Sequence, residues 1–407
     1  MFIKTSKTAP SDEVAKNAQL LIRAGFVHKR MAGVYEYLPL GKKVLDNIVG
    51  VIREEMNAIG GQEVSLTALQ PKELWERTDR WDSKKVDIWF KTELSSGGEA
   101  GLAPTHEEPL TDIMTNFVSS YHDLPIYAYQ FQTKFRNELR PKSGLMRGRE
   151  FLMKDLYDFS KSEAEHQEFY EKTKAAYIRI FDRLGIGEFT YPTFASGGIF
   201  AKFSEEFQML SPVGEDTVYV HNDQKLAVND EVWDDETMKI LGTKKDDFRT
   251  EKAVELGNIF HLSTKYSAPL GLAYTDENGQ RQPVYMGCYG IGPSRVMGAI
   301  AEHFADERGL VWPENIAPAR VYLINIGDDT AERTEKLYDE LRSKGVEVIW
   351  DDRDTRPGEK FADAELMGIP YRVVVSAKLG PDEIELKSRT LDVVENLSVE
   401  ALLDKLA

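Results

Sequence analysis

The sequence predicts an α+β protein, with helices and antiparallel strand pairs in a large first part and a small α/β domain after it. Three observations support this class. Alternating apolar residues flank the turn-rich "RPKSG", apolar residues recur at helical spacing in several segments, and strands alternate with helices only after residue 318. With 407 residues, 42% of them hydrophobic, the chain is long enough to bury more than one core.

The first 70 residues predict two helices and a strand. Ser11, followed by two acidic residues, predicts a helix N-cap, and Gly25 predicts the end of that helix. From Lys42 to Ile59 apolar residues recur every four positions, which predicts a second helix ended by two glycines. The segment "QEVSLTAL" that follows predicts a strand.

A strand-loop-strand hairpin is predicted near the middle of the chain. "PIYAYQFQTKFRNEL" and "REFLMKDLYDFS" predict its two strands, and "RPKSG" lies between them. Ser162 and Glu165 then form a capping-box pair at the start of a helix that ends at Gly185. Residues 222–250 are polar, charged and weakly periodic, which predicts a surface excursion.

The last quarter of the chain predicts a separate domain. "WPENIAP" predicts a linker, because closely spaced prolines favour an extended chain. Beyond it, "VYLINI", "VEVIWDD" and "YRVVVS" predict strands, and helices are predicted at 330–344 and 358–367. Strands that alternate with helices indicate a small parallel or mixed α/β domain.

Composition restricts the possible functions. A formal charge of -17 disfavours non-specific attachment to nucleic acid, so a nucleic-acid partner would have to be held by local basic clusters. The single cysteine, Cys288, excludes a disulfide framework and a Cys-rich zinc cluster, and it fits a reducing compartment. No apolar run reaches the roughly 20 residues of a membrane span, so we expect a soluble, cytoplasmic protein.

Basic residues concentrate in the predicted hairpin although the whole chain is acidic. Arg136 and Glu138 are two apart on a predicted strand and should share a face, with Arg147 and Phe151 across the turn. Guanidinium groups bind phosphate oxygens, a carboxylate accepts from an exocyclic amine, and an aromatic ring stacks on a base. This set suits ATP, although a solvated basic hairpin is the simpler explanation of the charge run alone.

Two further motifs carry candidate binding residues. "MGCYGIGPSRVMGAI" places three glycines ahead of Arg295, which could meet a phosphate at the start of a helix, although a helix-packing turn is the alternative. "PTHEE" offers Thr105 and Glu107, which could hold a small ammonium group. The same letters could instead begin a helix whose acids favour the helix dipole.

Together these motifs match the signatures of class II aminoacyl-tRNA synthetases, and the chain resembles the bacterial-type prolyl-tRNA synthetases over nearly its whole length. The matching phrases are "RAGFVHKRMAGVYEYLPLG", "LQPKELWERTDRW", "PTHEE", "QTKFRNELRPKSGLMRGREFLMKDLYDF", "ELGNIFHLSTKYS", "MGCYGIGPSR" and "RPGEKFADAELMGIP". The resemblance implies a class II catalytic domain, an antiparallel sheet flanked by helices, at residues 1–221 and 251–312. It further implies a linker at 313–318 and an anticodon-binding domain at 319–407.

The resemblance also implies an activity, in which ATP and Mg²⁺, without zinc, convert L-proline to prolyl-adenylate and the proline passes to the 3′ end of tRNA(Pro). The implied ATP-binding residues are Arg136, Glu138, Arg147, Phe151, Gln208 and Arg295, with Arg136 and Arg295 as the catalytic cations. The implied proline-binding residues are Thr105, Glu107, Arg136 and Cys288, and Glu206 is a candidate Mg²⁺ contact. The candidates for contacting the anticodon are Asp352, Arg353, Arg356 and Lys360.

The chain departs from the family pattern at several places. Residues 222–250 replace a large editing insertion, so we expect alanine to be activated and not cleared in cis, which leaves a role for a separate trans-editing protein. Thr67 stands where the dimer-interface motif usually has proline, although a homodimer is still expected. Glu205 and Asn258 replace histidines, the first of them expected near the substrate. A synthetase paralogue with a regulatory or adaptor role, or a class II enzyme for another amino acid such as threonine, are the alternatives.

Overall fold

The structure is a computed structural model that describes residues 2–198 and 202–406. The chain divides into two compact units. The larger unit comprises Met31–Val34 and Val49–Ala299, and the smaller one the described residues of Met1–Arg30, Tyr35–Ile48 and Ile300–Ala407.

The helices and strands of the described residues have the following bounds. The α-helices of the described residues are α1 Lys16–Arg23, α2 Pro39–Ala58, α3 Lys72–Glu76, α4 Glu107–Met114, α5 Glu163–Arg183, α6 Asp235–Leu241, α7 Ser267–Leu270, α8 Pro293–Phe304, α9 Ala331–Ser343, α10 Pro357–Met367 and α11 Val399–Leu406. The strands are β1 Val27–Met31, β2 Val34–Tyr37, β3 Gln62–Glu63, β4 Leu69–Pro71, β5 Phe90–Glu93, β6 Glu99–Leu102, β7 Ile126–Phe135, β8 Glu150–Ser160, β9 Thr190–Ser196, β10 Phe203–Leu210, β11 Asp216–His221, β12 Ala227–Asn229, β13 Phe248–Ser263, β14 Ala273–Thr275, β15 Arg281–Pro283, β16 Tyr285–Ile291, β17 Val321–Ile326, β18 Val348–Asp351, β19 Tyr371–Ser376, β20 Glu383–Ser388 and β21 Val394–Ser398. None of these helices is both long enough and apolar enough to cross a membrane.

A nine-stranded sheet forms the centre of the larger unit, in the order β10-β9-β12-β11-β13-β16-β8-β7-β3. Its pairings are antiparallel except for β12 with β9 and β3 with β7. The predicted hairpin is present, since β7 pairs with β8 along its whole length from Ile126 to Phe135. The antiparallel sheet with flanking helices confirms the predicted α+β class.

Helix α5 covers one face of this sheet, which we name the back face. The hydroxyl of Ser162 accepts from the backbone N–H of Glu165, so the predicted N-cap is present. The carboxylate of Glu165 accepts from the backbone of Lys161 instead of Ser162, so the capping box is not closed. Phe207 of β10 packs on Tyr177 of α5 with ring centroids 5.1 Å apart, in a shared aromatic core.

The first predicted helix is shorter than its sequence signals suggest. Helix α1 begins at Lys16, and the segment after Ser11 is not helical. The carboxylate of Glu13 accepts from the backbone N–H of Ala15 at 3.2 Å and from the hydroxyl of Tyr35 at 2.8 Å. A tertiary contact therefore takes the acidic residue that the sequence pattern placed in the first helical turn.

Two further local predictions were wrong in part. The segment "QEVSLTAL" does not form one strand. Its first two residues, Gln62–Glu63, form β3, and its last residue, Leu69, begins β4. Residues 222–250 are not only a surface excursion, because the buried β12 at Ala227–Asn229 pairs with both β9 and β11 within the main sheet. Three residues are too few to show a strand period, which is why the sequence did not reveal it.

The smaller unit contains a five-stranded sheet in the order β18-β17-β19-β20-β21. Strand β17 runs parallel to β18 and β19, whereas β20 pairs antiparallel with β19 and β21. The alternation of strands and helices predicted after residue 318 is therefore confirmed, and the sheet is mixed. Its core joins strand residues such as Leu323 and Val373 to Leu337 and Leu341 of α9 and Leu402 of α11.

Candidate active site

Two cavities in the larger unit share one residue, Arg136. One has a volume of about 230 Å³ and is also lined by Arg147 and Arg295, and we name it the arginine cavity. The other has a volume of about 340 Å³ and contains the carboxylate of Glu107, and we name it the Glu107 cavity. The structure thus brings together arginines that lie 159 positions apart in the sequence, from Arg136 to Arg295.

The Glu107 cavity opens on the face of the sheet opposite α5. Met153 and Asp155 of β8 line this cavity, whereas Lys154 between them donates to the hydroxyl of Tyr177 in α5 at 2.5 Å. The alternation of side chains along a strand therefore separates the cavity from the aromatic core of the back face.

Arg136 follows the end of β7 and is held from several sides. Its backbone N–H donates to the carbonyl of Arg149 at 2.8 Å, and its Nε donates to the carbonyl of Pro104 at 3.4 Å. Its guanidinium lies 5.2 Å from the ring centroid of Phe151. Burial, and then the charge of Arg295, lower the pKa of Arg136, and they outweigh the nearby carboxylates of Glu255, Glu138 and Glu107, which act to raise it.

Carboxylates hold the other two guanidiniums of the arginine cavity. Arg147 donates to Glu138 at 2.9 Å and to Glu215 at 3.2 Å. Arg295, in the first turn of α8, donates to the carboxylate of Glu255 at 3.0 Å and to its backbone carbonyl at 2.7 Å. Because phosphate and carboxylate oxygens accept from guanidinium in similar ways, these ion pairs mark positions where phosphate oxygens can bind.

Glu206 and Gln208 lie on β10 beside the arginine cavity. Gln208 Nε2 donates to Glu206 at 2.9 Å and to Asp216 at 2.8 Å, and Asn229 donates to Glu206 at 3.2 Å. Asp216 and Glu255 themselves line the cavity. Burial, and then the neighbouring Glu255, raise the pKa of Glu206 to about 8.

The Glu107 cavity presents an ionised carboxylate. Thr105 Oγ1 donates to Glu107 at 2.7 Å, Arg80 donates to it at 3.2 Å, and the thiol of Cys288 lies 3.4 Å from Glu107 Oε1. Burial acts to raise the pKa of Glu107, but the charge of Arg80 and the hydrogen bond from Thr105 outweigh it and lower the pKa. The prediction that "PTHEE" begins a helix is confirmed, since Glu107 is the first residue of α4. Glu107 also lines the cavity, and the binding of an ammonium by Thr105 and Glu107 stays a prediction.

Sequence reasoning did not single out Arg80 or Asp155, although both line the Glu107 cavity. Asp155 accepts from the buried Lys134 at 2.8 Å. The burial of His106, and then the charge of Lys134, lower the pKa of His106 to about 4. The phrases "LWERTDRW" and "FLMKDLYDF" contain both missed residues, but nothing in their local pattern distinguishes them from ordinary surface charges.

Glu205 replaces a histidine that the resemblance places near the substrate, but in this structure it lies away from both cavities. Its side chain forms an ion pair with Lys174 of α5, on the back face, and it lines neither cavity. Side chains alternate along β10, so Glu205 and Phe207 face α5 while Glu206 faces away from it. Asn258, in contrast, lines the Glu107 cavity and donates to Glu255 at 2.8 Å.

The four anticodon candidates are close together in the smaller unit but differ in exposure. Asp352 and Arg353 line a cavity of about 300 Å³, and Arg353 is bound to Asp351 at 2.7 and 2.6 Å. Lys360 is buried and donates to the carbonyl of Asp351 at 2.9 Å. Arg356, just before α10, is exposed. Two of the four therefore make contacts inside the unit.

Comparison with protein-family models finds two matches along the chain. Residues 90–304 match the class II core domain of tRNA synthetases for G, H, P, S and T, and residues 320–407 match an anticodon-binding domain. Curated relatives include the proline–tRNA ligases of Anaplasma marginale, 37% identical, and Rickettsia rickettsii, 36% identical. The alignments cover 100% of this chain and 98% and 99% of those relatives, so they too have no additional segment of domain size.

Solved structures with the same fold are more distant in sequence. A prolyl-tRNA synthetase from Giardia lamblia, in complex with prolyl-adenylate, has a TM-score of 0.78 at 20% identity, covering 94% of this chain and 74% of that one. The enzyme from Cryptosporidium parvum, complexed with L-proline and AMP, has a TM-score of 0.76 at 17% identity, covering 96% and 75%. At these identities the likeness establishes the fold.

Proposed function

The chain belongs to the proline–tRNA ligase family of class II aminoacyl-tRNA synthetases, and we propose that it joins L-proline to tRNA(Pro) at the expense of ATP. The observation that carries this proposal is the position of Arg136, which lines both cavities. A single guanidinium can there contact the carboxylate of an amino acid on one side and the α-phosphate of ATP on the other. Those are the two groups that react in amino-acid activation.

In the first step the negatively charged carboxylate of proline approaches the negatively charged phosphates of ATP. A carboxylate oxygen of proline attacks the α-phosphorus, the bond to the bridging oxygen of pyrophosphate breaks, and prolyl-adenylate and pyrophosphate result. Arg136 would stabilise the charge that develops at the α-phosphate, while Arg147 and Arg295 would hold the outer phosphates. In the second step a hydroxyl of the terminal adenosine of tRNA attacks the prolyl carbonyl, and AMP leaves.

The Glu107 cavity would hold the amino acid. Its ionised carboxylate can accept two hydrogen bonds from the secondary ammonium of proline, and Thr105 fixes that carboxylate at 2.7 Å. Cys288 supplies a soft apolar surface next to it. For the adenine we propose Glu138 as acceptor from the exocyclic amine and Phe151 as stacking surface, after Arg147 moves from Glu138 to a phosphate.

The oxygen atoms beside the arginine cavity fit Mg²⁺. Glu206 and Gln208 would hold the ion, with Asp216 and Glu255 at the cavity wall, and buried Gln208 Oε1 accepts no hydrogen bond from any described residue. No cluster of three or more His, Cys, Asp or Glu side chains suited to a metal occurs in the described ranges. When bound, the ion would supply positive charge to the triphosphate.

The smaller unit would bind the anticodon. We propose that Asp352 and the exposed Arg356 contact the bases, while Arg353 and Lys360 position the loop through Asp351. A homodimer, the cytoplasm as the place of action and a separate trans-editing protein are further parts of the proposal. They rest on the family, on the use of ATP and tRNA, and on the short segment at 222–250.

Proline-dependent exchange of labelled pyrophosphate into ATP tests this function directly. We expect exchange with L-proline and much weaker exchange with threonine, because Glu107 offers a carboxylate to an ammonium in this cavity and the described residues form no metal cluster for a side-chain hydroxyl. Absence of exchange with all amino acids would favour a paralogue with a regulatory role. Strong exchange with threonine alone would indicate a sibling enzyme.

A further inference from the structure

Arg80 lies in the Glu107 cavity and joins two carboxylates. Its NH1 atom is 3.2 Å from Glu107 Oε2 and 3.0 Å from each oxygen of Glu108. All three side chains are buried. One guanidinium is therefore shared by two adjacent acids in an environment with little water.

The surroundings of Arg80 fix its position. Its guanidinium lies 5.4 Å from the ring centroids of both Trp75 and Tyr266. Its backbone carbonyl accepts from the indole N–H of Trp89 at 3.0 Å. Aromatic faces and a backbone anchor leave the guanidinium few alternative orientations, so it can act as a rigid reference for the carboxylates.

The two acids have different surroundings although they are neighbours in sequence. Glu108 accepts from Thr78 at 2.8 Å and has zero exposure, so it serves as the structural partner of Arg80. Arg80 donates a hydrogen bond to Oε2 of Glu107, and the thiol of Cys288 lies next to Oε1. Glu107 also lines the cavity, whereas Glu108 does not. Arg80 therefore lies between a structural acid and the acid that faces the substrate.

We propose that Arg80 is a positioning residue that fixes the orientation and net charge of the Glu107 carboxylate, and so selects a cationic amine in this cavity. The proposal rests on the proposed function, in which Glu107 accepts from the secondary ammonium of proline. The group formed by Arg80, Glu107 and Glu108 carries two carboxylates and one guanidinium, so this group alone has a single net negative charge beside the ammonium. Without the guanidinium, two adjacent buried acids share a proton, and Glu107 loses its fixed acceptor geometry.

Substitution of Arg80 tests the proposal in the pyrophosphate exchange assay. We expect R80Q to raise the KM for proline by about tenfold or more and to change the KM for ATP by less than about twofold. The matched control is R77Q. Arg77 also contacts α4, through Asp112 at 3.1 Å, but it does not line the cavity, and R77Q should keep the wild-type KM for proline.

A double substitution separates charge balance from packing. R80Q/E108Q removes one cation and one anion, so the net charge of the group returns to a single negative charge. We expect its KM for proline to lie closer to the wild-type value than that of R80Q. If Arg80 only fills space, the double variant should be no better than R80Q, and that result would overturn the proposal.

Substrate analogues provide a readout that a general loss of structure would not imitate. Tetrahydrofuran-2-carboxylate has the ring and carboxylate of proline but no ammonium. We expect R80Q to raise the inhibition constant of L-proline analogues that have the same ring and carry an ammonium. The inhibition constant of tetrahydrofuran-2-carboxylate should stay unchanged within about twofold. Equal weakening of both ligands would contradict a role in amine selection.

The outcomes distinguish this proposal from the proposed function. If the wild-type protein shows no proline-dependent exchange, the proposed function fails. If the wild type is active and R80Q has the same KM for proline, only the role of Arg80 fails. Should R80Q not fold, as judged by its thermal unfolding, R80K replaces it, because lysine keeps the charge but bonds one carboxylate at a time. A KM for proline raised alone supports the proposal, and equal changes for proline and ATP overturn it.

Discussion

At the scale of single residues, Arg136 offers the sharpest test, because its guanidinium borders both cavities. Lysine would keep the charge but lose the planar fork that can bond two groups in fixed directions. We expect Arg136→Lys to lower kcat/KM in pyrophosphate exchange by about 100-fold, whether proline or ATP is varied. Arg140→Gln, an exposed cation of the same hairpin loop, should have no comparable effect. A loss limited to one substrate would show that the cavities do not act together.

Glu206 gives a prediction about pH. Burial, and then Glu255, raise its pKa from 4.5 to about 8 in the folded protein. Because the folded state holds the proton more tightly, the contribution of Glu206 to stability is complete below its unfolded pKa and is lost as pH rises through about 8.

The variant Glu206→Gln cannot ionise and should avoid that loss. Its free energy of unfolding, relative to wild type, should therefore increase from about pH 5 to about pH 8, by up to about 1.4 kcal/mol for each unit of pKa difference. Urea unfolding of both proteins at the two pH values measures the difference. A difference that does not change with pH would show that Glu206 keeps an ordinary pKa.

At the scale of elements, the pairing of β10 with β13 decides which polar groups face the active site. The register shifts between Phe207 and Gln208, where a bulge in β13 places Glu255 opposite Gln208 and Asn258 opposite Glu206. Residues three apart on a regular strand face opposite sides. The bulge brings Glu255 and Asn258 to the same side, where they are hydrogen-bonded at 2.8 Å.

Two glycines should respond in opposite ways to the same substitution. Gly50 lies inside α2, and a Cβ atom there would meet nothing within 4 Å, so Gly50→Ala should stabilise the protein by about 0.5–1 kcal/mol. A Cβ at Gly287 in β16 would lie 2.5 Å from Asp158 and 2.6 Å from the hydroxyl of Tyr289. Gly287→Ala should therefore destabilise by about 1–3 kcal/mol. Urea unfolding at constant pH measures both, and shifts of the same sign would contradict the packing described.

At the scale of the whole molecule, the chain has no segment of domain size between β11 and β13. Residues 222–250 contain the strand β12, the helix α6, the start of β13 and short connections. Alanine and proline are both small and apolar, so a cavity alone should discriminate between them only by about 10–200-fold. We expect measurable alanine-dependent pyrophosphate exchange and stable alanyl-tRNA(Pro). Deacylation of alanyl-tRNA(Pro) by the purified protein would contradict this.

Much of the fold could be predicted from the sequence because it depends on neighbours along the chain. The periodic helix after Lys42, the N-cap at Ser162 and the hairpin around "RPKSG" each follow from local patterns, and all three are present. The start of α1 and the strand β12 could not be predicted, because Glu13 is taken by a distant tyrosine and β12 is defined by its partner strands.

The sequence by itself determined the family, the helices and strands with a clear period, and the residue types available for binding a nucleotide and an amine. Only the tertiary structure decided which acids face the cavities. Glu205 and Glu206 are adjacent in sequence, yet one pairs with α5 and the other lies beside the arginine cavity. Sheet register, a bulge and a guanidinium shared by two acids fixed those choices. Such pairings depend on residues far apart in the chain, about which local periodicity carries no information.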